Sequence, residues 1–236
     1  MENFTSTFGN SVADAAPADR ATFIRRTYTL LAAAILAFIG IEAFFFVSGI
    51  ADVIASVLFT GGAMGWLVVL ALFMGISYLA NRWAVSETST TTQYLGLGLF
   101  IVAEAVIFVP LILIATSYSG DGNVLLKAGV TTLGLFLGIT TTVFVTRTDF
   151  SFLAPILAIG GFAALGFIVA SALFGFSLGS VFAFIMVAFA GTAILYETSN
   201  ILHRYNTKQH VAASLTLFAS IALLFWYILT IFSSRD

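Results

Sequence analysis

The stretch from Tyr94 to Ser117, YLGLGLFIVAEAVIFVPLILIATS, decides the fold. It holds one charged residue, Glu104, and is too long for a membrane β-strand of roughly ten residues. It does not alternate apolar with polar positions, so it reads as a helix crossing a bilayer. Working outward, six more segments read the same way. They run from about Thr27 to Val47, Ile54 to Ala80, Val124 to Thr146, Ser151 to Phe174, Ser177 to Thr198 and Val211 to Phe232. The expected fold class is therefore an all-α polytopic membrane protein with about seven transmembrane helices, embedded in a lipid bilayer.

Composition agrees. The chain is 60% hydrophobic and 8% charged, with a mean hydropathy of +1.08. Soluble domains carry roughly 25% charged residues. Seven spans and short loops consume nearly all 236 residues, leaving no room for a soluble enzyme domain. Residues 1–22 are polar, small and acidic, and are expected to form a disordered cytoplasmic tail ahead of a 23–236 membrane domain. The tail is not a signal peptide, because its start is not basic and the next apolar stretch has full span length.

Loop charges orient the spans. With the N-terminus inside, Arg20, Arg25, Arg26, Arg82, Arg147, Arg204 and Lys208 fall inside, and only Lys127 and Arg235 fall outside. The C-terminus is then expected outside. Short loops and the lack of a targeting segment suit a prokaryotic plasma membrane.

Several chemistries are excluded. The chain has no cysteine, which removes disulfides and thiolate sites. No basic run suggests nucleic acid. His203 and His210 lie in the last inside loop, away from any serine within a span, and no HExxH or paired-Asp motif occurs. Lys127 and Lys208 are the only lysines, and neither lies in the last span, so a retinal Schiff base there is impossible. No cofactor is expected.

Acids inside a bilayer are costly and carry a functional hypothesis by default. Glu104 lies about ten residues into its span, near mid-membrane, where its stem cannot reach water. Glu197 lies near the inside end of the sixth span, within two helical turns of Arg204. Glu42 reads as reaching the outer headgroups. Arg82 and Arg147 match the inside charge bias. Gly134 and Gly138, with Gly161, Ala164 and Ser171, read as small residues that let helices approach closely. Asp149 reads as a helix N-cap ahead of Pro155.

Four stretches carry a family likeness: FIRRTYTLLAAAILAF (23–38), YLGLGLFIVAEAVIFVPLIL (94–113), FVTRTDFSFLAPIL (144–157), and ILYETSNILHR (194–204) with AASLTLFASIALLFWYIL (212–229). In this order the sequence resembles the Bax inhibitor-1 family, also called the transmembrane Bax inhibitor motif family, in its prokaryotic type. The resemblance implies six helices around a central last helix and a pH-sensitive calcium leak. It also implies, in some members, modulation of a membrane protease. A non-conducting regulator of a protease or stress factor is thus one alternative, and a small-solute transporter another. In the family's bacterial type, two aspartates on the last two spans form a proton-sensitive latch aided by an arginine on the second. Glu197 takes the first aspartate's place and Arg82 matches the arginine. The second acid is missing, its place taken by Phe218 or Ser220. The resemblance thus implies a gate at Glu197 and Arg82, with Ser220 at the missing acid's place, while Glu104, an acid where the bacterial type usually has none, is read from its depth as a mid-membrane site on the ion pathway. Glu104 and Glu197 would make transient calcium contacts, and pH gating would be weak or altered.

Overall fold

A computed structural model describes residues 11–86, 89–118 and 120–234. The chain is all-helical, with the elements α1 (Pro17–Ser48), α2 (Ile50–Thr60), α3 (Gly62–Ala84), α4 (Thr90–Tyr118), α5 (Val124–Thr146), α6 (Leu153–Phe174), α7 (Gly179–His203) and α8 (His210–Ser233). All except α2 are long and apolar enough to cross a membrane. This is a polytopic membrane protein.

The expected second span is two helices. Gly49, at φ 77°, ends α1, and Gly62, at φ 55°, breaks the apolar run between α2 and α3. Such positive φ values cost little only in glycine. The 11 residues of α2 reach about 16 Å, too short to cross. Instead Ala51 and Ala55 seat α2 against Val109 of α4.

The last helix is central. It packs against α1, α3, α4, α5 and α7, and 56% of its apolar window is buried, against 6% for α3 and α6. α4 is as deeply buried as α8, at 56%. Between them stand aromatic contacts: Phe100 with Phe218 at 6.1 Å, and Phe108 with Phe225 at 5.8 Å and Trp226 at 4.9 Å. The two helices therefore run in the same direction. α1 runs with them, since Ser214 donates to the Thr27 carbonyl at 2.9 Å, while Phe38 meets Phe108 and Phe218 further along. Parallel α1 and α4 require α2 and α3 together to run back once along the bundle, and α8, with 24 residues, is long and apolar enough for a full span. Outward-facing positions are apolar, as lipid contact requires: Val47, Phe162 and Phe174 are all more than three-quarters exposed.

α3 and α4 meet where a side chain cannot fit. A Cβ on Gly96 would stand 2.6 Å from the Ala80 carbonyl oxygen and 2.9 Å from the Ala84 nitrogen. Ala80 and Ala84, one turn apart and fully buried, complete this close crossing. The small-residue reading of Gly134 and Gly138 is not supported, because nothing lies within 4 Å of a Cβ built on either. On α6 it is Gly160 that meets Phe189 closely, at 2.9 Å, while Gly161 makes an ordinary 3.8 Å contact.

The tail boundary also differs from the expected one. Residues 1–10 lie outside the described residues, but 11–22 are placed. Val12 is wholly buried, and its N–H donates to the Tyr205 carbonyl at 2.9 Å. Arg20 donates back to the Val12 and Ala13 carbonyls, and Pro17 opens α1. The buried valine and the returning arginine fix what composition alone reads as solvated.

Candidate functional site

Three acids stand at different depths along the interior. Glu197 lies near the end of the bundle that also carries Arg82, Arg147 and Arg204, here termed the basic end. Its carboxyl oxygen accepts from the Tyr205 hydroxyl at 3.3 Å. Tyr205 and Thr216 of α8 share a hydrogen bond of 3.0 Å. Thr216 and Asn200 also stand beside the Glu197 carboxyl. Burial pushes the Tyr205 hydroxyl up, reinforced by the neighbouring carboxylate, so it remains a proton donor.

Tyr205 has a second face. With Tyr196, Asn200, Arg204 and Gln209 it lines a hollow of about 280 Å³ open at the basic end. The tyrosine thus stands between that hollow and Glu197, with Val12 of the returning N-terminal segment bonded to its backbone.

Glu104 is 7% exposed and has no hydrogen-bond or ion-pair partner among the described residues. The aromatic register sets it opposite Ile221 and Ala222 of α8. Thr216 is five or six residues towards the basic end, so Glu104 lies about 8–9 Å deeper than the Glu197 cluster. The two acids do not form a carboxylate pair.

Glu42 does not reach the surface. It continues the buried stripe Phe23, Thr27, Leu31, Ala34, Phe38, is 7% exposed, and both its carboxyl oxygens are buried without a partner. Phe38 sits between the levels of Phe100 and Phe108, which puts Glu42 about one turn beyond Glu104, about 6 Å. Its i, i+4 place on the stripe was the sequence signal that marked it as interior. Among the described residues no three acidic or histidine groups gather.

The remaining expected site residues are placed differently. Arg82 is exposed at the end of α3, and α3 does not rank among the packing partners of α7. The one ion pair among the described residues is Lys127–Asp121, so Arg82 and Arg204 do not neutralise Glu197. Ser220 is buried one turn beyond Thr216 with no hydrogen bond among the described residues, and Phe218 is taken up by Phe38 and Phe100. The α8 group at the level of Glu197 is Thr216. Sequence reasoning missed both it and Tyr205, because a hydroxyl in LTLF and a loop tyrosine carry no motif.

The 147–152 loop backs this site. Ser199, next but one to Glu197, accepts from the Phe150 N–H at 2.9 Å. Asp149 accepts from the Ser151 N–H at 2.9 Å, which holds its carboxyl below the usual carboxylate range, with Arg204 and His203 adding to the effect. The N-capping expectation is not met: Phe152 is the N-cap of α6 and has no side-chain capping bond, while Asp149 closes a turn three residues before it. The depressed carboxyl keeps this turn intact above its unfolded pKa and releases it as pH falls through the folded value. Ser199→Ala strands the partly buried Phe150 N–H. It should cost about 1–2 kcal/mol of stability in thermal unfolding, with Ser151→Ala nearer zero.

A bundle of seven spans, the last of them buried among the others, with acids spaced along its interior, defines a class of membrane protein that holds polar groups within the bilayer. The chain belongs to the Bax inhibitor-1 family: the model described as "Inhibitor of apoptosis-promoting Bax1" matches residues 20–236. It is 29% identical to Bax inhibitor 1 of Schizosaccharomyces pombe, over 93% of this chain and 79% of that protein. It is 31% identical to Protein LIFEGUARD 4 of Arabidopsis thaliana, over 91% and 85%. It is 27% identical to the Golgi anti-apoptotic protein of Vaccinia virus (strain Lister), over 94% and 89%.

Proposed function

We propose that this protein is a cation leak pathway, with calcium as the permeant ion. The observation that carries this reading is the set of buried carboxyl groups at three depths, Glu197, Glu104 and Glu42, along the packed α1, α4, α7 and α8 interior. Buried acids without cationic partners are costly, and stepwise single-carboxylate contacts suit an ion that must enter and leave.

The gate is placed at Tyr205. Its hydrogen bonds to Glu197 and Thr216 close the inner route from the hollow at the basic end. This differs from a two-acid latch, since Thr216 offers a hydroxyl that does not titrate in the physiological range. pH dependence should accordingly be weak. Loop charges put the basic end and N-terminus on the cytoplasmic side, the C-terminus outside, and suit a prokaryotic plasma membrane.

The test is calcium flux by purified protein in liposomes. Flux should exceed that of protein-free liposomes, fall in Glu197→Gln, and rise in Tyr205→Phe, which removes the closing hydroxyl. Flux at the protein-free level would instead favour a non-conducting regulator of another membrane protein.

A further inference from the structure

A groove of about 500 Å³ opens at the basic end between α1 and α4, beside the first residue of α8. Arg25, Arg26, Tyr94 and His210 form its upper walls, and Leu30 and Ala33 its lower ones. Both arginines are exposed, and neither has an ion-pair partner among the described residues. Arginines at span ends are ordinarily explained by orientation alone. That explanation requires no groove beneath them.

Two further features do point to a ligand. From Arg25 to Ala33 the groove follows α1 for eight residues, about 12 Å, changing from cationic to apolar. Its upper side is also held in shape. Tyr94 and His210 approach to 3.4 Å with their rings edge-on at 6.3 Å, and Arg26 lies close enough to act on His210 electrostatically. A free anion would satisfy only the upper half. A molecule with an anionic head and a hydrocarbon tail satisfies both.

We propose that this groove binds an anionic phospholipid. Arg25 and Arg26 donate to its phosphodiester, and the first part of an acyl chain lies along Leu30 and Ala33. The proposal does not depend on the conduction reading, because the groove lies apart from Glu197, Glu104 and Glu42.

Native mass spectrometry of the full chain tests it, with phosphatidylglycerol or phosphatidylcholine of matched acyl chains added. The parent should retain phosphatidylglycerol preferentially. Arg25→Gln/Arg26→Gln should bind it about tenfold or more weakly. Ala33→Trp, at an exposed position, fills the lower groove without changing charge and should also lose it. Arg147→Gln/Arg204→Gln removes the same charge from the same end and should bind as the parent does. Equal retention of both lipids by the parent, or equal loss in the two double variants, would overturn the proposal. So would parent-like binding by Ala33→Trp, or displacement of the lipid by an equal concentration of inorganic phosphate.

Discussion

Gly96→Ala should cost about 3 kcal/mol, the upper end for overpacking a well-fitted contact. One methyl group suffices because the atoms it meets are the Ala80 carbonyl oxygen at 2.6 Å, the Ala84 nitrogen at 2.9 Å and the Trp83 Cβ at 3.0 Å. These belong to the α3 backbone or sit directly on it, so no side-chain rotation relieves them. α3 must move away from α4, and the buried Ala80 and Ala84 lose their contact with it. Gly98, two residues on, has nothing within 4 Å of an added Cβ. Gly98→Ala should be neutral or stabilise by up to about 1 kcal/mol through helix propensity. Thermal unfolding in detergent, with gel filtration to follow the folded fraction, separates the two. Equal behaviour would mean that the α3–α4 crossing is looser than described.

Phe108→Ala should be the second large loss, about 2–3 kcal/mol. Phe108 is 1% exposed and touches Phe38, Phe225 and Trp226, joining α1, α4 and α8. Unfolded helices in a membrane remain in hydrocarbon, so the transfer contribution that dominates in water is small here. The cavity contribution persists. Removing about 100 Å³ at roughly 24 cal/mol per Å³ gives this magnitude if the site does not collapse. Phe162 is 77% exposed on α6. Phe162→Ala, which trades lipid contact for lipid contact, should stay within about 0.5 kcal/mol. The same thermal scan compares the pair.

Much of the fold was legible because a bilayer restricts the choices. Apolar runs of span length must be helices, and six of the seven expected segments correspond to single helices. The seventh divided at Gly61–Gly62, since a hydropathy window does not register a positive φ. The close crossing was missed for a related reason. Gly134 and Gly138 carry the recognised spacing yet face open space, whereas Gly96 meets Ala80 and Ala84 on a different helix. Which face of a helix meets a partner is a tertiary property, and spacing within one helix does not encode it.

The site was legible to the same extent. Glu197 and Glu104 stood out because acids in apolar runs are rare and costly. Glu42 looked like a headgroup contact from its nearness to the span end, yet its phase on the α1 stripe turns it inward. Arg82 was matched to Glu197 by likeness alone, and the structure leaves it exposed. Tyr205 and Thr216 replace it around Glu197, brought there by the α7–α8 turn, which folds α8 back against α7.

If the buried acids carry the ion, the largest loss is expected at Glu104, which stands deep in the bundle without a hydrogen-bond or ion-pair partner among the described residues. Calcium flux in liposomes should be compared for the parent, Glu104→Gln and Val102→Gln, the last a polar change at an exposed position on the same helix. Glu104→Gln should reduce flux about tenfold, the loss of about 1.4 kcal/mol of ion stabilisation at one site, with Val102→Gln within about twofold of the parent. Parent-like flux in Glu104→Gln, or equal losses in both variants, would mean that the buried acids do not carry the ion.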